Sequence, residues 1–81
     1  SETGEFRVTT YPNPSSGPFQ VVSSLPATGR LISPLGQVLI SEVVLPARQA
    51  VLVDVPDLAP GIYFLQLQSE DKVVVKKIWV K

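Results

Sequence analysis

The hydrophobic pattern consists of short runs of β-favouring residues, and Pro, Gly, Asn or Asp interrupts them about every ten residues. The eight prolines are spread along the chain and leave no room for a long helix. Together these signals predict an all-β fold, a single immunoglobulin-like antiparallel β-sandwich of about seven strands. Strands are predicted near residues 6–11, 19–23, 29–33, 37–45, 49–55, 61–68 and 72–80.

Alternation of side chains along each strand predicts which residues share a face. In the strand near residues 61–68, Tyr63, Leu65 and Leu67 share the face that we expect to lie in the core. Alternation does not identify the buried face of the last strand, because Lys76 and Lys77 place one lysine on each face. In the strand near residues 49–55, one shared face is formed by Val51, Val53 and Val55, with Leu52 and Asp54 opposite.

Two loops carry a recognisable turn chemistry. In Ser33-Pro34-Leu35-Gly36, Pro34 favours a type I turn and Gly36 can take the left-handed conformation, so a hairpin with a bulge is predicted. The segment from Leu58 to Tyr63 contains Pro60 and Gly61 and resembles the tyrosine corner of immunoglobulin-like sandwiches. In that motif a Tyr entering a late strand turns its hydroxyl back to the upstream backbone.

Length and charge limit the class of protein. The 81 residues suffice for one domain, which we place at residues 6–81, with residues 1–5 as a linker from an upstream domain. Because Ser1 is not a start methionine, we expect a fragment of a longer chain whose leader lies upstream. The net charge is zero, so nucleic acid is not an expected partner. No apolar run approaches the roughly 18–20 residues of a membrane helix, so no transmembrane segment is expected.

The residues for catalysis are largely missing. With no His and no Cys, the chain lacks the usual bases and nucleophiles for work near neutral pH, and it lacks a thiolate metal site. Asp54 and Asp57 are separated by a proline, and Glu70 and Asp71 are neighbours in a predicted turn. We therefore expect no enzyme, no catalytic residue, no metal site and no cofactor.

Several segments, taken in order, resemble a known family. The chain has Tyr11-Pro12-Asn13-Pro14 followed by Gly17, a hairpin over residues 31–36, and a Leu-x-x-Gly-Ile-Tyr segment over residues 58–63. It ends on a basic and apolar stretch, Lys76-Lys77-Ile78-Trp79-Val80-Lys81. This arrangement resembles the C-terminal sorting domains of proteins exported by the type IX secretion system (the Por secretion system) of Bacteroidota. The structural motif of that resemblance comprises Tyr11, Pro12, Asn13, Pro14, Gly36, Gly61 and Tyr63.

The resemblance implies a signal domain that carries its parent protein through the periplasm and across the outer membrane to the cell surface or the medium. The implied partners are the type IX translocon and a sortase-like peptidase that removes the domain in many members, with attachment of the cargo to anionic lipopolysaccharide. By the same resemblance, translocon recognition is expected at Lys76, Lys77, Ile78, Trp79, Val80 and Lys81. We call these six residues the recognition segment.

Other interpretations stay open at this point. The lysines of the last strand can serve only to keep an edge strand from pairing with other chains, or they can meet an acidic partner. The domain can also be a retained binding domain of a surface attachment complex that contacts anionic lipopolysaccharide or partner subunits. A carbohydrate-binding sandwich would need an aromatic platform, for which Trp79 is the candidate, although a lone Trp in a terminal strand is more often packed. Homodimerisation through an unpaired edge strand is a further alternative.

Overall fold

The computed structural model describes residues 5–12 and 17–81, and these form a sandwich of antiparallel strands. Among the described residues no helix is long and apolar enough to cross a membrane. The strands are β1 (Val8–Tyr11), β2 (Phe19–Ser23), β3 (Ala27–Ile32), β4 (Val38–Leu45), β5 (Val51–Val53), β6 (Gly61–Ser69) and β7 (Lys72–Val80). The predicted all-β fold is confirmed.

The strands form two sheets. One sheet has three strands in the order β1-β2-β5, and the other has four in the order β4-β3-β6-β7. In immunoglobulin domains the third, sixth and seventh strands likewise pair in one sheet, while the first, second and fifth belong to the other. Here β4 lies beside β3 in the four-stranded sheet. Strands β1, β5, β4 and β7 are therefore the sheet edges.

The strand limits differ from the prediction mainly around β5. The predicted strand at residues 49–55 is reduced to Val51–Val53. Arg48, with φ 60°, turns the chain just before it, and the N–H of Arg48 donates to the carbonyl oxygen of Ser23. Pro56 follows closely and has no N–H for a ladder hydrogen bond. Turn geometry on both sides therefore shortens a run whose composition favours a longer strand.

The core lies between the two sheets and contains the predicted inward face of β6, since Tyr63, Leu65 and Leu67 are all buried. Val53 is buried and Val51 and Val55 pack against the core, whereas Leu52 is exposed, as alternation in β5 predicts. The buried apolar side chains are Val8, Phe19, Val21, Ala27, Leu31, Val43, Leu45, Val53, Tyr63, Leu65, Leu67, Ile78 and Val80.

The hairpin between β3 and β4 has the predicted geometry. The N–H of Gly36 donates to the Ser33 carbonyl oxygen over 2.9 Å, and the N–H of Ser33 donates to the Gln37 carbonyl oxygen over 2.8 Å. Gly36 has φ 92°, a conformation that favours glycine. The Ser33 hydroxyl accepts a further bond from the Gln37 N–H, so the loop is fixed by its own sequence.

Candidate recognition surface on the last strand

The structure settles which face of β7 is buried. Ile78 and Val80 are 1% and 2% exposed and belong to the core. The alternate positions, with Lys77 and Trp79, point away from the core. Lys76 shares the inward side but lies half-buried in a cleft against β1, where its aliphatic stem can pack and its ammonium can reach water. The position of Lys76 is thus compatible with burial of the inward side.

The recognition segment therefore does not form one continuous surface. Ile78 and Val80 are core residues, Lys76 faces the β1 side, and Lys81 follows the strand and is exposed. Of the recognition segment, only Lys77 and Trp79 stand together on the outward side of β7.

Trp79 is not a packed core residue, and the expectation of packing was wrong. Its side chain is 59% exposed. The reason lies in the register of the last hairpin, which pairs Tyr63 with Ile78 and Gly61 with Val80. These pairings place Ile78 and Val80 against the core and turn the intervening Trp79 outward.

Cross-strand neighbours extend the outward surface onto β6. Ile62 pairs with Trp79, and Phe64 pairs with Lys77. Ile62 is 42% exposed, and Val75 on β7 is also exposed. We call the surface formed by Ile62, Phe64, Val75, Lys77 and Trp79 the Trp79 face.

The Trp79 face continues across β3 towards polar residues. Phe64 pairs with Ile32 on β3, so the apolar surface spans three strands at this end of the sheet. Further along, Arg30 donates from Nε to Oε1 of Gln66 over 3.1 Å. A shallow polar hollow beside this pair is lined by Thr28, Arg30, Ser41, Glu42, Gln66 and Gln68, among others.

Sequence reasoning missed Ile62, Phe64 and Val75 as part of this surface, although a signal was present. Alternation already placed Ile62 and Phe64 opposite the core face of β6. The short polar connection at Glu70 and Asp71 then fixes the hairpin register that brings Ile62 beside Trp79. Apolar residues on the solvent side of a strand, next to the lone Trp, would have indicated the face.

The tyrosine corner is present at the start of β6. The Tyr63 hydroxyl donates to the Ala59 carbonyl oxygen over 2.6 Å, while the ring of Tyr63 is buried. Gly61 lies against the ring of Pro34. The β3–β4 hairpin, which contains Pro34 and Gly36, therefore lies at the same end of the sandwich as Gly61 and Tyr63, where the tyrosine corner holds the loop before β6.

The remaining motif residues lie at the end of β1. Tyr11 is the last residue of this edge strand and pairs with Gln20, and the bond between Tyr11 and Pro12 is cis. Asn13 and Pro14 lie outside the described residues.

Two described serines, Ser23 and Ser24, hold the fold through their hydroxyls. The Ser23 hydroxyl donates to the Leu25 carbonyl oxygen over 2.6 Å. The Ser24 hydroxyl donates to the Glu5 carbonyl oxygen and accepts from the Arg7 N–H. Across residues 5–12 and 17–81 there is no group of three or more acidic, His or Cys side chains that could hold a metal ion.

The domain is a small β-sandwich that presents an apolar and basic face on its four-stranded sheet, a kind of surface that suits the binding of a partner. The sequence matches the family model of the secretion system C-terminal sorting domain over residues 9–81. The chain therefore belongs to this family, whose members are sorting signals and not catalysts. No curated protein matches the chain.

Proposed function

We propose that this domain directs export of its parent protein across the outer membrane by the type IX secretion system. The observation that carries the proposal is the family match over residues 9–81, together with the ordered motifs that resemble type IX sorting domains. The translocon binds the domain, and a sortase-like peptidase then removes it at the cell surface. The domain itself occupies residues 6–81, and residues 1–5 connect it to the cargo.

The proposed partners, the translocon and the peptidase, imply the export route of the parent protein. The parent protein crosses the periplasm in transit and ends on the cell surface or in the medium. The recognition segment, Lys76 to Lys81, supplies the contacts with the translocon, and its outward residues are Lys77 and Trp79. The buried residues Ile78 and Val80 act indirectly, because they hold β7 against β6.

Because the recognition segment contains both core and outward residues, deleting part of it does not separate recognition from folding. Deleting residues 79–81 removes Val80 from the core along with Trp79, so loss of export could then arise from unfolding. Substitution of outward residues is the cleaner experiment, since it leaves the core composition intact.

The test of the function is a transplant. Residues 1–81 are fused behind a signal peptide and a fluorescent reporter and expressed in a Bacteroidota host with and without its type IX translocon. Reporter at the surface only when the translocon is intact supports the proposal, and the reporter's size then reveals whether the domain is removed. Reporter that stays in the periplasm of both strains contradicts it.

A second candidate function is favoured by the exposure of Trp79 beside Lys77. An aromatic ring and a cation on one surface suit a retained binding domain that contacts anionic lipopolysaccharide. In that case the domain stays joined to its cargo at the surface. Lipopolysaccharide binding by the purified domain, lost in Trp79→Thr, would support it.

A further inference from the structure

We propose that the partner reads the folded Trp79 face of the four-stranded sheet, and not residues 76–81 as a linear peptide. The occupant we infer is a protein surface of the export machinery that is apolar and carries a carboxylate opposite Lys77. This inference rests on the proposed function and deepens it. It adds Ile62, Phe64 and Val75, which lie outside the recognition segment.

The burial of β7 argues against a linear signal. An extended peptide in a binding groove would need both sides of its chain, but Ile78 and Val80 are inside the sandwich. A partner could contact these two side chains only if β7 detached from β6, with which it pairs along its full length from Lys72 to Val80. The side chains that a partner can reach without this cost belong to the outward side.

The apolar character of the face is the second argument. Trp79 is opposite Ile62, and Phe64 is flanked by Ile32 on β3 and Lys77 on β7. Contiguous apolar side chains on an outward sheet surface are typical of protein interfaces, and Trp is among the residues that most often dominate binding energy. The Trp79 face has such a centre.

The charge of the Trp79 face indicates the kind of partner that it binds. Strands β3, β6 and β7 contain no Asp or Glu, and their outward positions carry two cations, Arg30 and Lys77. A second copy docked on the same face would bring like charges together, which costs free energy. A partner with carboxylates would instead gain from the same arrangement.

The position of Lys77 favours a protein over a membrane surface. Lys77 lies between Val75 and Trp79 on β7 and opposite Phe64. Lys77 also lines a cleft with Thr9, Thr10 and Lys76, so it stands at the rim of the apolar surface. A lysine at the rim of an apolar patch suits a charge contact with a protein partner. Binding to anionic lipid headgroups depends instead on clusters of about four to eight cations, whereas two lysines line this cleft.

The decisive experiment uses the reporter fusion and changes one exposed side chain at a time. Trp79→Thr and Ile62→Thr should each lower the surface fraction of the reporter by about tenfold or more, because each removes an apolar contact from the interface centre. Lys77→Glu should also abolish export, whereas Lys77→Arg should retain it. The matched control is Leu52→Thr on the three-stranded sheet, since Leu52 is 60% exposed and lies outside the face.

Ile62→Thr separates the two modes of recognition. Ile62 lies far from residues 76–81 in sequence but pairs with Trp79. Normal export of Ile62→Thr together with loss in Trp79→Thr means that a linear segment is read, and this overturns the inference while the proposed function stands. Thermal unfolding of the purified variants checks that they fold, and Ile62→Val, which keeps the apolar contact, should export normally.

The other occupants give distinct results. A purified domain that sediments as a dimer, and as a monomer after Trp79→Thr, would mean that a second copy covers the face. Binding to phosphatidylglycerol vesicles that Trp79→Thr abolishes would mean a membrane. Either result overturns the inference. If the unmodified domain is not exported at all, the proposed function fails first and the inference fails with it.

Discussion

Ile62 and Trp79 are direct cross-strand partners in the β6–β7 hairpin, and both point away from the core. Their neighbours in sequence, Tyr63 and Ile78, are also partners and are buried. The same hairpin therefore contributes one pair to folding and the adjacent pair to the outward surface. This separation allows stability and export to be changed independently.

The two sides of β7 should respond differently to substitution. Ile78→Ala should lower the free energy of unfolding by about 2–5 kcal/mol, because it leaves a cavity in the core. Val75→Thr, on the outward side of the same strand, keeps a β-branched side chain and should change stability by less than about 0.5 kcal/mol. Urea denaturation of both variants measures the difference. Equal losses would contradict the assignment of the buried side.

The tyrosine corner should make a measurable contribution. Tyr63→Phe removes the hydroxyl that donates to Ala59 and should destabilise the domain by about 1 kcal/mol. Tyr11→Phe is the control, because Tyr11 is exposed at the end of β1. We expect the control to unfold at the same urea concentration as the unmodified domain. No shift in Tyr63→Phe would mean that the hydrogen bond is not maintained in solution.

Gly29 allows β3 and β6 to approach each other. A Cβ at this position would overlap the Gln66 carbonyl oxygen and lie 2.6 Å from Cδ2 of Leu67. Gly29→Ala should therefore cost about 1–3 kcal/mol, since backbone and core side chains must shift. Gly17→Ala meets no atom within 4 Å and should be nearly neutral. Thermal unfolding compares the two, and a neutral Gly29→Ala would contradict this strand packing.

The hairpin glycine has a conformational role and not a packing role. Gly36 has φ 92°, and an added Cβ there would meet nothing within 4 Å. Gly36→Ala should cost about 1–2 kcal/mol through backbone strain, and Gly36→Asn should cost less, because Asn tolerates left-handed conformations. Chemical denaturation of the pair should show this order. The reverse order would mean that the loop changes conformation.

Much of the fold could be predicted from sequence because local signals agree. Pro34 with Gly36 specifies one hairpin, Pro60 and Gly61 precede the tyrosine corner, and alternation identifies the core face of β6. The limits of β5 could not be predicted, because the left-handed Arg48 and its bond to Ser23 depend on a contact between distant parts of the chain.

The candidate site was only partly predictable. Alternation could not choose the buried face of β7, since Lys76 and Lys77 each placed a charge on one side. The structure resolves the choice, because Ile78 and Val80 are buried and Lys76 is half-buried, whereas Lys77 and Trp79 are exposed. This burial depends on the packing of the two sheets, which the sequence of β7 alone does not show. The outward position of Trp79 follows from the same packing.

The sorting function is tested most directly by the surface fraction of a reporter fused to residues 1–81, determined by protease treatment of intact Bacteroidota cells. We expect protease to remove the reporter from cells with a working type IX translocon and to leave it untouched in cells without one. Equal protection in both strains, at equal reporter levels, would contradict the sorting function. Equal removal in both would mean that another route exports the protein.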